Sequence, residues 1–300
     1  MNKKSILEKK INKIEELINI SNIINNETNS IENIKKYYRV NHFAYKLFHS
    51  KMGFMHFRIS KNDELKDDDI LYQPNTISNY IKKNSTVVEL GPGQGANIVY
   101  LAKKYPYSSF IGIDLTPPRI KINYPKNIKY YKHDYSNLSF IESNSVDVVY
   151  GIETIVHCSD KKKVFKEVAR ILKKDGIFIV YDYSLVRELN EYLPFEQTAL
   201  KIISRGGASA LIESTKSWKS YFKTCGFKEI STENLNKYVK HDLKNLERKA
   251  NHIMKKDGRI KFVFGIFPSI FVNNILIGWL GYDSCINNLG QYNEWIYKKQ

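Results

Sequence analysis

The sequence predicts an α/β fold built on a mostly parallel β-sheet, and two features of the chain carry this prediction. Short runs rich in β-branched residues, such as STVVEL before Gly91 and SVDVVYG before Ile152, have the length and composition of buried strands. Segments with the apolar spacing of helices alternate with these runs, for example over 160–174. Because strands that alternate with helices pair in parallel through right-handed crossovers, the order of the segments favours a parallel sheet.

The elements are predicted in the following order along the chain. The strands are, in sequence, STVVEL, SSFIGIDL, IKYYKHD, SVDVVYG and IFIVYDYS. The helix over 160–174 begins with Asp160 as its N-cap and stops at Asp175-Gly176. Residues 217–235 predict one more helix, a stop and a strand, and the C-terminal EWIYKKQ predicts a last edge strand.

The N-terminal segment predicts an amphipathic helix. Leu7, Ile11, Ile14 and Ile18 recur at steps of three and four residues, with Lys and Glu between them. Charged residues interrupt the segment too often for a secretory signal. Packing of this helix on the body of the protein is favoured over a membrane-surface or partner helix.

Composition excludes a mostly disordered or fibrous chain, since 42% of the 300 residues are apolar and 26% are charged. Lys+Arg 47 against Asp+Glu 31 gives a net charge of +16, which is compatible with nucleic acid or an anionic membrane as a partner. Lys, Asn and Ile are abundant along the whole chain, however. A general compositional bias is therefore the favoured interpretation, and no nucleic-acid partner is expected.

The cysteines and one apolar run bear on the compartment. Cys158, Cys225 and Cys285 are widely spaced without a CxxC pair, so they predict no disulfide framework, no metal site and a reducing, cytoplasmic location. Residues 262–280 form an uncharged run long enough to span a bilayer. Pro268 and the Asn pair after Val272 make a span costly. A buried pair of short helices that line a pocket is favoured, with peripheral membrane contact as the alternative.

The run ELGPGQG, residues 89–95, predicts a cofactor site. It follows a strand and opens a helix, and its glycines let the backbone turn sharply and approach a ligand closely. The helix N-terminus adds unpaired N–H groups. Asp114 ends the next strand, where a carboxylate can accept both hydroxyls of a ribose. This pattern suits any cofactor that contains adenosine.

Further detail favours S-adenosylmethionine over a nicotinamide dinucleotide. The dinucleotide fingerprint is GxGxxG, whereas this run is ExGxGxG and is followed by Ala96. Glu89 puts a negative charge beside the loop, which suits a cationic methionine moiety and opposes a pyrophosphate. Asp134 ends the third strand, where a carboxylate can accept from an adenine amino group.

Five blocks, ELGPGQG, GIDL, HDYSNLSF, SVDVVYGIE and ILKKDGIFIVYD, occur in the order and spacing of the class I S-adenosylmethionine-dependent methyltransferases, which the chain therefore resembles. The resemblance implies a Rossmann-like, seven-stranded, mostly parallel sheet with an antiparallel last strand. The domains expected along the chain are a helical N-terminal cap over 1–75, a cofactor-binding core over 76–186, and a remainder over 187–300 that contains a helical insertion. The cofactor-binding residues that the resemblance implies are Glu89, Gly91, Pro92, Gly93, Asp114, Leu115, Asp134, Tyr135, Gly151 and Ile152.

The catalytic candidates are Glu153 and His157, just past the fourth strand. Their block resembles the sterol C-methyltransferases, which carry an Ile-Glu-Ala and then a His. It also resembles the phosphoethanolamine N-methyltransferases, where a His at the same offset pairs with an upstream Tyr. His157 is a candidate general base or substrate orienter, with a hydrogen-bonded structural histidine as the alternative. Glu153 is a candidate base or charge stabiliser, with a cofactor contact or a helix cap as the alternative.

The substrate pocket is predicted from aromatic and polar residues at the same edge of the sheet. Its candidates are Tyr38, His56, Phe57, Asp182 and Tyr183. The aromatic segment 37–57 is a lid in one interpretation and ordinary core in the other. If it is a lid, its π faces stabilise a cation.

The predicted function is methyl transfer to a small, lipophilic acceptor, such as a sterol-like, prenyl, quinone, polyketide or lipid amine molecule. The alternative is an RNA or protein methyltransferase, which the charge of +16 favours. The fourth strand ends in Tyr-Gly-Ile-Glu, however, and not in the Asn/Asp-Pro-Pro-Tyr that acts on base amino groups. A non-catalytic binding module that keeps the cofactor fold is the third possibility.

Overall fold

The structure is a computed structural model that describes residues 3–25, 30–48, 53–62, 64–116, 125–255 and 257–300. The helices are α1 (Lys3–Leu17), α2 (Ser21–Ile24), α3 (Ile31–Phe48), α4 (Tyr72–Ser78), α5 (Ala96–Lys104), α6 (Lys161–Ile171), α7 (Pro194–Gly206), α8 (Thr215–Thr224), α9 (Asn236–Met254), α10 (Asp257–Ile266) and α11 (Ser269–Ile286). The strands are β1 (Thr86–Leu90), β2 (Ser109–Asp114), β3 (Ile128–Lys132), β4 (Val146–Ile152), β5 (Leu172–Leu185), β6 (Phe227–Asn234) and β7 (Gly290–Lys299). Of the aromatic segment 37–57, the side chains of 42–48 and residues 49–52 lie outside the described part.

The described strands form one seven-stranded sheet in the order β3-β2-β1-β4-β5-β7-β6. β7 is antiparallel to both of its neighbours, and the other adjacent strands are parallel. This confirms the predicted Rossmann-like sheet with an antiparallel last strand. The prediction of EWIYKKQ as an edge strand is wrong, because β7 lies between β5 and β6. Trp295, Ile296 and Tyr297 are all buried, as expected of a strand covered on both faces.

Helix α6 begins where the sequence predicts and ends earlier. The Asp160 carboxylate caps it by accepting a backbone N–H of the first turn at 2.9 Å. Ile171 is the last helical residue, so the predicted end at 174 is too late. Leu172 already belongs to β5, and Asp175, with a φ of +63°, lies where the register between β4 and β5 shifts.

Helices cover both faces of the sheet and leave the carboxyl edge of the parallel strands for the site. One face packs under α6 and α8, where Phe165, Trp218 and Phe222 contact one another and the strands. The other face packs under α4, α5 and α9. Both layers are apolar, so the sheet is held rigidly where its strands end.

Helix α1 packs on α7 and α11, which confirms the predicted packing on the body. Its most deeply buried apolar residues are Leu7, Ile11 and Ile14. On the same helix the Lys10 ammonium lies 2.7 Å from the Glu247 carboxylate of α9 and 2.5 Å from the Asp283 carboxylate of α11. These buried charges tie α1 to α9 and α11, since removing one partner would leave the others uncompensated.

Residues 262–280 form part of α10 and most of α11, with Pro268 between the two helices. Leu276 of α11 is fully buried, whereas Phe262 and Ile266 of α10 are largely exposed. The prediction of a buried helix pair therefore holds for α11 and is wrong for α10. Among the helices that the structure describes, none combines the length and the apolar character that crossing a bilayer requires.

Candidate active site

The glycine-rich loop at the end of β1 has a backbone conformation that residues other than glycine rarely adopt. Gly91, Gly93 and Gly95 all have positive φ angles, of +63°, +54° and +83°. A Cβ atom at Gly91 would lie 2.0 Å from the Thr154 hydroxyl oxygen, so the loop leaves no room for a side chain there. The result is a bare backbone cradle beside the N-terminus of α5, as close approach to a ligand requires.

A carboxylate from the next strand faces this cradle. Asp114 accepts from the Gly93 N–H at 2.9 Å and from the Thr116 N–H at 2.9 Å. Burial raises the pKa of Asp114, and these hydrogen bonds oppose that rise by stabilising its ionised form. The carboxylate is thus fixed to the loop and lines the space beside it.

The loop, the strand ends and one face of α3 enclose a cleft of about 150 Å³. Its lining includes most of the predicted cofactor residues, namely Glu89, Gly91, Pro92, Gly93, Asp114, Leu115, Asp134, Tyr135 and Ile152. Gly151 lies behind the cleft wall, where an added Cβ would meet the Thr154 methyl group at 3.0 Å. Lys35 and Arg39 of α3 also line the cleft, and the sequence analysis did not assign them.

The chemistry of the cleft fits a cation better than a pyrophosphate. The Glu89 carboxyl is buried beside the loop and accepts from the Tyr150 hydroxyl at 2.9 Å. Burial raises its pKa to about 8, because a charge there lacks water. A bound cation would favour its ionised form, whereas a pyrophosphate would add negative charge beside it. The bare cradle and these acidic groups therefore fit S-adenosylmethionine.

Glu153 holds its carboxyl group at the end of β4 in an unusual backbone conformation. Its φ of +50° is rare for a residue with a side chain, and such strain concentrates at functional sites. The carboxylate accepts from the Phe57 N–H at 2.8 Å and from the Tyr183 hydroxyl at 3.2 Å, and the Tyr292 hydroxyl also bonds to it. Burial nevertheless raises its pKa to about 8. Glu153 is therefore poised to hold or release a proton near neutral pH.

His157 is paired with a tyrosine from the N-terminal cap. Its Nε2 atom lies 2.7 Å from the Tyr38 hydroxyl, and its Nδ1 atom lies 3.2 Å from the Ala208 carbonyl oxygen. A carbonyl only accepts, so Nδ1–H donates to Ala208 and Nε2 accepts from Tyr38. Burial lowers the pKa of His157 to about 4, which keeps the ring neutral. Because Nε2 already accepts from the Tyr38 hydroxyl, His157 fixes the orientation of that hydroxyl in this structure.

A second cavity, of about 290 Å³, opens beyond these two residues. Its walls are mostly apolar and come from α7, α9 and α11, with side chains such as Leu200, Leu243, Leu246, Ile253, Phe271 and Ile277. Tyr38, Met55, Glu153 and His157 line both this cavity and the cofactor cleft. We call these four residues the junction. A group that leaves the cleft at the junction enters an apolar space.

The other predicted pocket residues fall in three places. Phe57 and Tyr183 line the apolar cavity, whereas the adjacent His56 lines the cofactor cleft. Asp182 is fully buried behind the wall and accepts from the Val156 N–H at 2.9 Å. It thereby fixes the turn that carries His157. Asp182 is a positioning residue in this arrangement, and His56 belongs to the cofactor side of the junction.

Sequence reasoning missed Met55 and the cavity walls supplied by α7, α9 and α11. For α3, a usable signal exists, because Lys35, Tyr38 and Arg39 are spaced so that they share one helix face. The cavity walls carry no motif, and ordinary apolar helix positions form them.

The central part of the chain is similar in sequence to known methyltransferases. Residues 88–180 match the family model of a methyltransferase domain. A sterol 24-C-methyltransferase of Aspergillus fumigatus is 26% identical over 163 residues, which cover 52% of this chain and 43% of that protein. The chain thus spans less than half the length of this curated relative.

Solved structures share the fold over most of the chain. A cyclopropane synthase from Mycobacterium tuberculosis superposes with a TM-score of 0.73 at 13% identity, over 90% of this chain and 98% of that one. A phosphoethanolamine N-methyltransferase from Haemonchus contortus superposes with a TM-score of 0.61 at 16% identity, over 95% of this chain and 61% of that one. The cap and the C-terminal helices are therefore part of a shared architecture, and not only the central sheet.

Proposed function

We propose that this chain, whose residues 88–180 match the family model of a methyltransferase domain, transfers a methyl group from S-adenosylmethionine to a small, lipophilic acceptor. The observation that carries the proposal is the junction, where Tyr38, Met55, Glu153 and His157 line both the cleft and the apolar cavity. A transferred group has to cross from one ligand to the other without meeting bulk water. The junction is the place in the fold that permits this.

On the cofactor side, the residues that line the cleft would bind the three parts of S-adenosylmethionine. Asp114 would hold the ribose hydroxyls, Asp134 the adenine amino group, and the bare loop 89–95 the methionine part. When bound, S-adenosylmethionine supplies a methyl group on a sulfonium, which is already activated for displacement. The protein then has to position the reactants and exclude water, and positioning is worth about 7–11 kcal/mol in favourable cases.

On the acceptor side, the apolar walls select a hydrophobic body and the junction orients the reacting atom. Glu153 would receive a proton if the acceptor is an alkene carbon or a hydroxyl group. Tyr38, held by His157, would direct the lone pair if the acceptor is an amine. Sterol-like, prenyl and lipid amine acceptors all remain within this class. An RNA or protein acceptor is disfavoured because the walls of the cavity are mostly apolar, although the charge of +16 supports it.

The proposal is tested by incubating the protein with methyl-labelled S-adenosylmethionine and fractionated cell extract. We expect label to appear in the organic phase, and to be lost with Asp114→Ala as a variant defective in cofactor binding. Label in RNA or protein, with none in the organic phase, would move the function to the macromolecular alternative.

Removing the tyrosine–histidine pair should reduce turnover about tenfold and leave cofactor affinity unchanged. Tyr38→Phe deletes only the hydroxyl that donates to His157 at 2.7 Å, and His157→Ala deletes its acceptor. Since the two groups act as one unit, the double variant should be no worse than the worse single variant. Kinetics of the three variants, with calorimetric cofactor binding as the control, measure this. Additive losses would show that the two side chains act separately.

A further inference from the structure

The outer side of α10 carries apolar side chains that the rest of the described protein leaves uncovered. Phe262 and Ile266 of α10 are 63% and 62% exposed, and Phe267, directly after the helix, is 42% exposed. The first two are four residues apart, and therefore share one helix face. We call these three residues the α10 patch. Ile260 of the same helix is fully buried, so α10 is anchored on one side while the patch faces outward.

Cations flank the α10 patch. Lys255 and Arg259 are exposed at the start of this region. Between residues 255 and 261 the sequence has four basic residues against one acidic residue, Asp257. Apolar side chains bordered by Lys and Arg are typical of helices that lie in a membrane interface and attract anionic lipids. The net charge of the whole chain, +16, is also positive and would attract the protein to an anionic surface.

The α10 patch is continuous with the apolar cavity. The Phe267 ring stacks on the Phe271 ring, with centroids 5.0 Å apart and planes at 27°. Phe271 lines the cavity, and so does Ile253 near the end of α9. An apolar surface therefore runs from the outside of α10 to the inner wall of the acceptor cavity. Exposed patches of this kind mark interaction sites rather than random surface.

We propose that the α10 patch, with Lys255 and Arg259, docks the protein on the surface of an anionic phospholipid bilayer. The helix lies in the interface and does not span it. On the basis of the proposed function, a lipophilic acceptor then enters the cavity from the bilayer along Phe267 and Phe271. The docking itself requires no methyl transfer.

The test is sedimentation of the purified full chain with sucrose-loaded vesicles at low salt. Vesicles of phosphatidylcholine with 30% phosphatidylserine are compared with vesicles of phosphatidylcholine alone. We expect binding to the anionic vesicles at least tenfold stronger than to the neutral ones, and weaker in 0.5 M NaCl. The variant Phe262→Ser/Ile266→Ser/Phe267→Ser should lose at least tenfold, and Lys255→Glu/Arg259→Glu should lose the preference for anionic lipid.

Ile230→Ser is the matched control, since Ile230 is 47% exposed on β6 and away from α10. It should bind vesicles like the wild type, and a melting curve of each variant checks that a loss of binding does not come from unfolding. The proposal is overturned if the wild type stays in the supernatant, or if the triple serine variant binds as well as the wild type. It is also overturned if the patch variants change only self-association on size exclusion, which would assign the patch to a second copy of the chain. Each of these results leaves the labelled-methyl experiment unaffected.

Discussion

Replacing Asp114 with alanine lowers the affinity for S-adenosylmethionine by at least a hundredfold. A carboxylate that accepts two ribose hydroxyls makes two charge-assisted hydrogen bonds, each worth about 1.5–3 kcal/mol. Their loss amounts to about 3–6 kcal/mol, and about 1.4 kcal/mol corresponds to a factor of ten. Asp114 also accepts from the Gly93 N–H, so the loop itself loses a support.

Two variants separate the contact with the ribose from the support of the loop. Asp114→Asn keeps an acceptor oxygen for Gly93 and removes the charge, so its affinity should fall between the wild type and Asp114→Ala.

Asp134→Ala removes one predicted adenine contact, and we expect a loss of cofactor affinity of about tenfold, in line with one hydrogen bond of about 1.5 kcal/mol. Isothermal titration calorimetry measures all three. Wild-type affinity in Asp114→Ala would remove the ribose assignment.

Glu153→Gln lowers turnover at least a hundredfold if the carboxylate acts as the base at the junction. Proton transfer by a positioned side chain contributes about 10²–10⁴-fold to the rate. The amide has the shape of the carboxyl group and can still accept from the Phe57 N–H, but it takes up no proton. Cofactor affinity at neutral pH should change less than tenfold, which separates this variant from Asp114→Ala. Full turnover in Glu153→Gln would leave Glu153 as a structural contact.

We expect the affinity for the cofactor to rise with pH. Burial raises the pKa of Glu153 to about 8, so the free protein holds this group protonated at pH 7. A cationic ligand favours the carboxylate, so binding releases protons and affinity rises with pH until it levels above about pH 8. Calorimetry in buffers of different ionisation enthalpy counts the protons. Glu153→Gln should release fewer, and the remainder is expected from Glu89, whose pKa burial also raises to about 8.

The sheet, and the meeting of loop 89–95 with Asp114 at one cleft, could be predicted from the sequence because their signals are local. The loop 89–95 and the strand-ending Asp114 lie within short segments whose structure their own residues largely determine. The position of β7 between β5 and β6 could not be predicted in this way. That strand is last in the chain and pairs with segments that are distant in sequence. Its burial on both faces depends on the whole assembled sheet.

The acceptor half was harder to predict for two physical reasons. Its walls come from helices far apart in the chain, where an apolar residue gives the same signal whether it faces a cavity or a packed core. His56 and Phe57 were assigned to one pocket, yet neighbours in an extended segment point to opposite sides. The positive φ of Glu153 is also unpredictable from sequence, because such a conformation costs energy that only the surrounding structure can supply.

The most direct measurement is a crystal structure of the protein with S-adenosylhomocysteine. We expect the ribose on the Asp114 carboxylate, the homocysteine part against loop 89–95, and the sulfur directed at the junction between the two cavities. A ligand that leaves the loop untouched, or whose sulfur points away from Tyr38 and Glu153 into solvent, would contradict the proposed site.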